Sequence, residues 1–318
     1  LIYLLNEISK IGKLAIRCIG PAHRIIAAME AIQEDLATLM PVPWLGNATT
    51  KVHVLRLDRV HPLISGNKWY KLRFYLEAAR TQGKSIVTFG GAYSNHILAT
   101  AAACRLEGIR CAGIIRGEAP RLYSQTLTDA ATRGMELHFI TRGAYQQKQL
   151  PAPFAGDDWL VIPEGGYGIL GMQGAATIPV PPGPFDHICC AVGTGTMLAG
   201  LLQPAAGSTA VTGFSVLKNH KSITQEIDAL LPEDHRPYFL NPDFHFGGYA
   251  KYNTRLIRFM NELYDQTGIP TDFVYTAKLF YGVKALLEED LKNSRNVLVI
   301  HSGGLQGNRS LPKGTLIF

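Results

Sequence analysis

Apolar and polar positions follow two rhythms along this chain. From Lys51 onward, short runs rich in Val, Ile, Leu and Phe are each followed by longer stretches with apolar residues at helical spacing. The pattern predicts strands over 52–57, 85–89, 110–115, 136–140, 159–162, 187–192, 209–217 and 296–300. It predicts helices over 68–81, 95–106, 124–133, 223–231, 251–267 and 278–291, and one more starting at Met197. In the first helix Trp69, Leu72, Leu76 and Ala79 make an apolar stripe, with Arg73, Glu77 and Arg80 off it. Gly134 closes the third helix, and the proline-rich stretch 179–184 must be a loop. Residues 1–37 are helical in pattern and mixed in charge.

Strand–helix alternation of this kind implies an α/β fold, with mostly parallel sheet flanked by helices on both faces. Such sheets bind ligands at the carboxyl ends of their strands. The glycine turns at Gly90, Gly165, Gly193 and Gly303 fall at those ends. With 318 residues, 47% of them hydrophobic, the chain can build two lobes. Only 18% of residues are charged, which does not suit disorder. The net charge of +6 is scattered without basic runs, so no nucleic-acid surface is expected. Cys18, Cys104, Cys111, Cys189 and Cys190 form no C-x-x-C spacing, and the last four sit in apolar segments. A reduced, cytoplasmic protein without a signal peptide or membrane span is the simplest expectation.

Ser65-Gly66-Asn67-Lys68 delivers a lysine onto a helix start. Buried there, its amine would lose protons more readily and become a nucleophile toward a carbonyl. Taken alone, a solvated lysine is the commoner outcome. Gly193-Thr194-Gly195-Thr196-Met197 lies between a strand and a helix, and its glycines, hydroxyls and free N–H groups suit a phosphate. It is a poor dinucleotide fingerprint: Leu198 takes the third glycine's place, and no acidic residue ends the strand over 209–217. A nicotinamide-dependent oxidoreductase is therefore disfavoured. Ser94 and Asn95 open the second helix, where either could be an N-cap. No G-x-S-x-G serine is present, and no His-Glu-x-x-His or Cys/His cluster suggests a metal. His96 and His301 are read as structural. On pattern alone, Tyr249 and Tyr275 are packing residues.

Together these motifs resemble the fold-type II pyridoxal phosphate enzymes, related to the tryptophan synthase β subunit. Within that class the chain resembles the 1-aminocyclopropane-1-carboxylate deaminase / D-cysteine desulfhydrase family, over about Val52 to Gly304 and with every motif in order. The resemblance implies two lobes with pyridoxal 5'-phosphate in the cleft between them: 46–84 with 171–318 as the large domain and 85–170 as the small one. Residues 1–45 are read, from their own pattern, as a helical extension outside the resemblance. It implies a homodimer. It makes Lys68 the covalent anchor of the cofactor, and places Ser94 at the substrate carboxylate and Asn95 at the cofactor's ring hydroxyl. Gly193, Thr194, Gly195, Thr196 and Met197 would form the phosphate loop. Tyr249 and Tyr275 would be the two active-site tyrosines. Thr276 would face the pyridine nitrogen, where the family's deaminases carry glutamate and its desulfhydrases threonine. A neutral hydroxyl favours a less electron-poor ring, sufficient for β-elimination. The expected reaction is therefore α,β-elimination from a small amino acid such as D-cysteine, giving pyruvate, ammonia and sulfide. Alternatives are cyclopropane deamination, or a cofactor-binding homologue with little turnover.

Overall fold

The computed structural model describes residues 31–318 except 204, 206, 207, 288, 290 and 292. It contains two sheets. The larger has the strand order β1-β2-β10-β7-β8-β9, formed by β1 (Thr38–Pro41), β2 (Lys51–Arg56), β7 (His187–Val192), β8 (Ala210–Ser215), β9 (Phe239–Asn241) and β10 (Asn296–His301). All its pairings are parallel except β1 with β2. The smaller sheet is wholly parallel in the order β5-β4-β3-β6, from β3 (Ser85–Gly90), β4 (Cys111–Arg116), β5 (Glu136–Ile140) and β6 (Trp159–Ile162).

The central strands of the large sheet are continuous apolar runs because both their faces are covered. Along β7, Ile188, Cys190 and Val192 enter one core while Cys189 and Ala191 enter the other. Along β10, Leu298 and Ile300 face the first core, Val297 and Val299 the second. This period of two is what a pleated strand requires. Cys104, Cys111, Cys189 and Cys190 are buried free thiols.

The helices are α1 (Asn67–Gln82), α2 (Asn95–Glu107), α3 (Gln125–Thr132), α4 (Arg142–Gln146), α5 (Ile169–Ala176), α6 (Thr196–Leu202), α7 (Ile223–Asp228), α8 (Thr254–Thr267) and α9 (Thr276–Leu286). Helix α1 joins the two layers. Its Tyr70 lies in the large-sheet core, while Leu72, Leu76 and Ala79 lie in the small-sheet core. Helix α5 locks α1 to α6 by close backbone approach. A Cβ on Gly174 would stand 2.0 Å from the Tyr70 carbonyl oxygen of α1, and one on Gly200 of α6 would stand 2.5 Å from the Ala175 Cβ of α5. Side chains larger than hydrogen would wedge these helices apart.

Several elements depart from the expectation. Helix α5 was not anticipated, because Gly171 and Gly174 lower helix propensity by about 1 kcal/mol each. Helix α8 begins at Thr254, not at 251, because the Asn253 side chain accepts from the Leu256 N–H and caps it there. Helix α9 runs from Thr276 to Leu286, earlier at both ends than expected. The helical pattern over 1–37 falls largely outside the described residues. The expected extension to residue 45 is not helical throughout, since Thr38–Pro41 pairs with β2 as an edge strand. Among the described residues, no helix is long and apolar enough to cross a membrane.

Leu298 is fully buried in the middle of the large-sheet core. Leu298→Ala is expected to lower unfolding free energy by about 2–5 kcal/mol in denaturant titrations. Leu122→Ala, at a side chain 87% exposed, should change it by less than about 0.5 kcal/mol.

Candidate active site

The first turn of α1 is fixed by a backbone contact. Gly66 precedes it with φ +64° and ψ −136°, and a Cβ there would lie 1.8 Å from the Ser302 carbonyl oxygen just after β10. The Asn67 N–H donates to that same oxygen at 3.2 Å. Only glycine lets the helix start approach the end of the last strand this closely. Lys68 follows at once, its Nζ donating to Asn67 Oδ1 at 2.9 Å. Burial lowers its pKa to about 8, although the charge of Asp272 acts in the opposite direction. A larger share of it is therefore neutral and nucleophilic at a given pH than for a solvated lysine.

Lys71 lies one turn further on and is also buried. Its Nζ is 3.4 Å from the Gly165 carbonyl oxygen and 3.5 Å from Thr194 Oγ1. Among the described residues no carboxylate pairs with it. Burial, and then the Lys68 charge, hold its pKa well below the usual lysine value. Thr194 Oγ1 and Thr196 Oγ1 are 3.0 Å apart. The Thr194 and Thr196 hydroxyls and the buried Lys71 amine thus gather at the turn after β7. The Met197 side chain is packed in the large-sheet core.

One further turn packs on this one, and the remaining two meet each other. Gly165 packs on Thr194, a Cβ there lying 3.0 Å from Thr194 Cγ2. Asn95, at the start of α2, donates through Nδ2 to the Gly304 carbonyl oxygen after β10 at 3.0 Å. Ser94 caps α2, its Oγ accepting from the Ile97 N–H at 3.3 Å, and its own proton remains available to a ligand. His96 is buried against Thr88 Oγ1 at 2.8 Å. His301 is buried with Nε2 at 2.7 Å from the Pro270 carbonyl oxygen. Both tie elements together.

Tyr275 immediately precedes α9 and lies against Gly193, where a Cβ would be 3.3 Å from its ring. Tyr249 meets it edge-on, with ring centroids 6.1 Å apart at 72°. Burial holds the Tyr275 hydroxyl well above the usual phenol range, and Tyr249 reinforces this, so Tyr275 stays a donor. Thr276 is fully buried. Its hydroxyl donates to Asp272 Oδ1 at 2.7 Å and accepts from the Asp272 N–H at 2.8 Å.

Three residues of this region escaped the sequence reading: Lys71, Asp272 and Lys278. Asp272 accepts the N–H groups of Val274, Tyr275 and Thr276, all at 2.9 Å. An acidic residue just ahead of a helix was its one sequence signal. Lys278 is 1% exposed and donates to the Gly248 carbonyl oxygen at 2.7 Å. Burial lowers its pKa to about 8.

A lysine of lowered pKa close to a turn with two hydroxyls and a buried amine is chemistry that suits a phosphorylated carbonyl compound. Residues 37–303 match the family model described as pyridoxal-phosphate dependent enzyme, and the chain belongs to that family. Its cofactor is pyridoxal 5'-phosphate. The chain is 29% identical to a Thermotoga maritima protein provisionally named 1-aminocyclopropane-1-carboxylate deaminase, over 84% of this chain and 94% of that one. It is 27% identical to the bifunctional D-cysteine desulfhydrase/1-aminocyclopropane-1-carboxylate deaminase of Arabidopsis thaliana, over 84% and 75%. A crystal structure titled as an ACC deaminase homologue superposes with a TM-score of 0.75 at 25% identity, covering 86% of this chain and 90% of that one. The two-sheet α/β fold is thus that of the fold-type II enzymes.

The residues present fit the cofactor. Lys71 offers a buried amine, with no carboxylate partner among the described residues, beside the Thr194 and Thr196 hydroxyls, and Asn95 Oδ1 is buried with no hydrogen-bond partner among the described residues.

The lowered Lys68 pKa has a direct consequence. Only the neutral amine attacks an aldehyde, and its fraction rises with pH through the pKa. The rate at which stripped protein takes up pyridoxal phosphate should therefore climb and level off with a midpoint near about 8. An unperturbed lysine would give a midpoint near about 10.4. Stopped-flow absorbance against pH distinguishes the two, and Lys68→Ala should lose the covalent visible band.

Proposed function

We propose that this chain is a pyridoxal phosphate-dependent lyase that eliminates the β-substituent of a small amino acid of the D-cysteine class. The products would be pyruvate, ammonia and sulfide. The carrying observation is Thr276, which follows Tyr275 at the start of α9 with its proton committed to Asp272. Placed against the ring nitrogen, that hydroxyl supplies less negative charge there than a carboxylate would. The names of the relatives, which span both deaminase and desulfhydrase, support the same substrate range.

In this reading residues 46–84 and 171–318 form the cofactor domain and 85–170 the small domain. Lys71, Thr194, Thr196 and the backbone around Gly193 and Gly195 hold the phosphate, and Asn95 Oδ1 accepts from the ring hydroxyl. The bound cofactor supplies an electron sink for charge developing at the substrate Cα. Lys68 anchors the cofactor at rest. Its amine, desolvated to a pKa of about 8, would serve as the base that accepts the substrate Cα proton. Ser94 donates its free proton to the substrate carboxylate. Tyr275, with a phenol too basic to be a strong acid, holds the departing sulfur by a hydrogen bond. The departing group is hydrosulfide, the weakly basic conjugate of hydrogen sulfide, which leaves without needing a stronger proton donor. Tyr249 supports Tyr275 from the side.

The test is product analysis with purified holoenzyme. Sulfide and pyruvate in equal amounts are expected from D-cysteine. Pyruvate from 1-aminocyclopropane-1-carboxylate with no sulfide from D-cysteine would reverse the substrate assignment. A yellow protein inert toward every D- and L-amino acid tried would favour a non-catalytic homologue. Separately, Lys71→Met should weaken cofactor binding by about 1.5–3 kcal/mol, the range for a hydrogen bond to a charged group. Titration of the visible band measures this, and an unchanged affinity would remove Lys71 from the phosphate site.

A further inference from the structure

Tyr249 sits in an unusual piece of backbone. Phe246, Gly247, Gly248 and Ala250 all have positive φ, at +52°, +97°, +115° and +53°. Two of the four are not glycine, and such residues persist in this region only where their surroundings hold them. The holding contacts come largely from α9. Tyr281 of that helix packs edge-on against the Phe246 ring, with centroids 5.0 Å apart at 90°. Lys278 of the same helix buries its ammonium and donates to the Gly248 carbonyl oxygen at 2.7 Å. A buried lysine that engages a loop carbonyl is a costly way to fill space, since a hydrophobic side chain would do so without desolvating a charge. Lys278 stands one helical turn after Tyr275, and Gly248 immediately precedes Tyr249. The lysine therefore connects the two elements that carry the paired tyrosines.

We propose that Lys278 is a positioning residue that clamps the strained 246–250 loop to α9 and so holds Tyr249 against Tyr275 in the reacting geometry. The effect on turnover rests on the reading of Tyr249 and Tyr275 as active-site residues. The clamp itself rests on the loop geometry and the buried lysine alone. Lys278 touches neither substrate nor cofactor in this assignment. Its influence passes wholly through Tyr249.

The holoenzyme variants Lys278→Met, Lys278→Arg, Tyr249→Phe and Lys278→Met/Tyr249→Phe test this in two independent measurements. Hydrogen exchange reads the clamp. In Lys278→Met, amides across 246–251 should exchange at least tenfold faster while the rest of the chain is unchanged, and Lys278→Arg, which keeps a donor, should restore protection. Unchanged exchange in the loop overturns the clamp. So does global unfolding of Lys278→Met, which would assign the lysine to the core. Steady-state kinetics on whichever amino acid turns over read its purpose. Lys278→Met and Tyr249→Phe should each lower kcat/KM about tenfold at unchanged cofactor content and visible spectrum, and Lys278→Arg should recover most of that loss. The double variant should be no worse than the more damaged single one, because both act through the same phenol. Multiplying effects would show a route other than Tyr249 and overturn the proposal. A silent Tyr249→Phe together with loosened exchange would instead overturn the assignment of Tyr249 to the active site and leave the clamp standing.

Discussion

Asp272 is wholly buried, and every contact recorded for its carboxylate comes from a donor. Three successive N–H groups, of Val274, Tyr275 and Thr276, converge on its two oxygens, and the Thr276 hydroxyl adds a fourth bond. Burial pushes its pKa up while those donors pull it down, and burial is the larger effect. A carboxylic proton there would meet donors on both oxygens, so the arrangement suits the charged form. This one side chain fixes the direction in which α9 starts, and with it the placement of Tyr275 and Thr276. Its charge also reaches Lys68 and Lys278, raising the proton affinity of each against the effect of burial. The start of α9 and the amine of α1 are thus set by a single group on neither helix.

Helix α1 does the corresponding work between the sheets. Its lysines are useful only if the loop after β7 and the loop after β10 hold fixed positions relative to them. The second is held by Gly66, whose missing Cβ lets Asn67 bond the Ser302 carbonyl. The first is held at one remove, through α5, which packs backbone to backbone on α1 and on α6. Glycine serves opposite purposes at these places. At Gly66 it permits a backbone conformation, whereas at Gly174 and Gly200 it permits a distance.

That double use explains what could be read from the sequence. The strands β7 and β10 were legible because both their faces are apolar, and the amphipathic stripe of α1 announced its helix. The four glycine turns could be placed at strand ends, and the structure brings their loops into one region. Helix α5 was illegible because the glycines that let it pack are the residues that argue against a helix. Strand β9 is only three residues long, too short to carry a period. Lys71 and Lys278 were missed for a different reason. A lysine on a helix is solvated in most proteins, and nothing local distinguishes one whose surroundings, assembled from distant segments, have closed over it. Lys278 meets a carbonyl thirty residues earlier in the chain, and Lys71 a hydroxyl 123 residues later. Thr276 was legible as a hydroxyl, but its commitment to Asp272 required the structure.

The balance of charge in this region carries the argument one step further. Lys68, Lys71 and Lys278 are all desolvated, and the charge of Asp272 acts on Lys68 and Lys278 but not on Lys71. Burial lowers each pKa, and at Lys68 and Lys278 Asp272 opposes it only in part. For Lys71 the largest opposing charge beyond its own burial is another lysine, so the local field is positive where the Thr194 and Thr196 hydroxyls gather. A phosphate dianion is the natural complement to such a field, and binding it would return Lys71 toward its charged form. Cofactor binding is then coupled to proton uptake at Lys71 and, through the shared field, to the amine of Lys68. A ligand that binds only the folded chain stabilises it in proportion to the logarithm of its concentration over its dissociation constant. By this reasoning pyridoxal phosphate is a component of the fold as much as of the chemistry, because it supplies the negative charge that the two lysines of α1 lack.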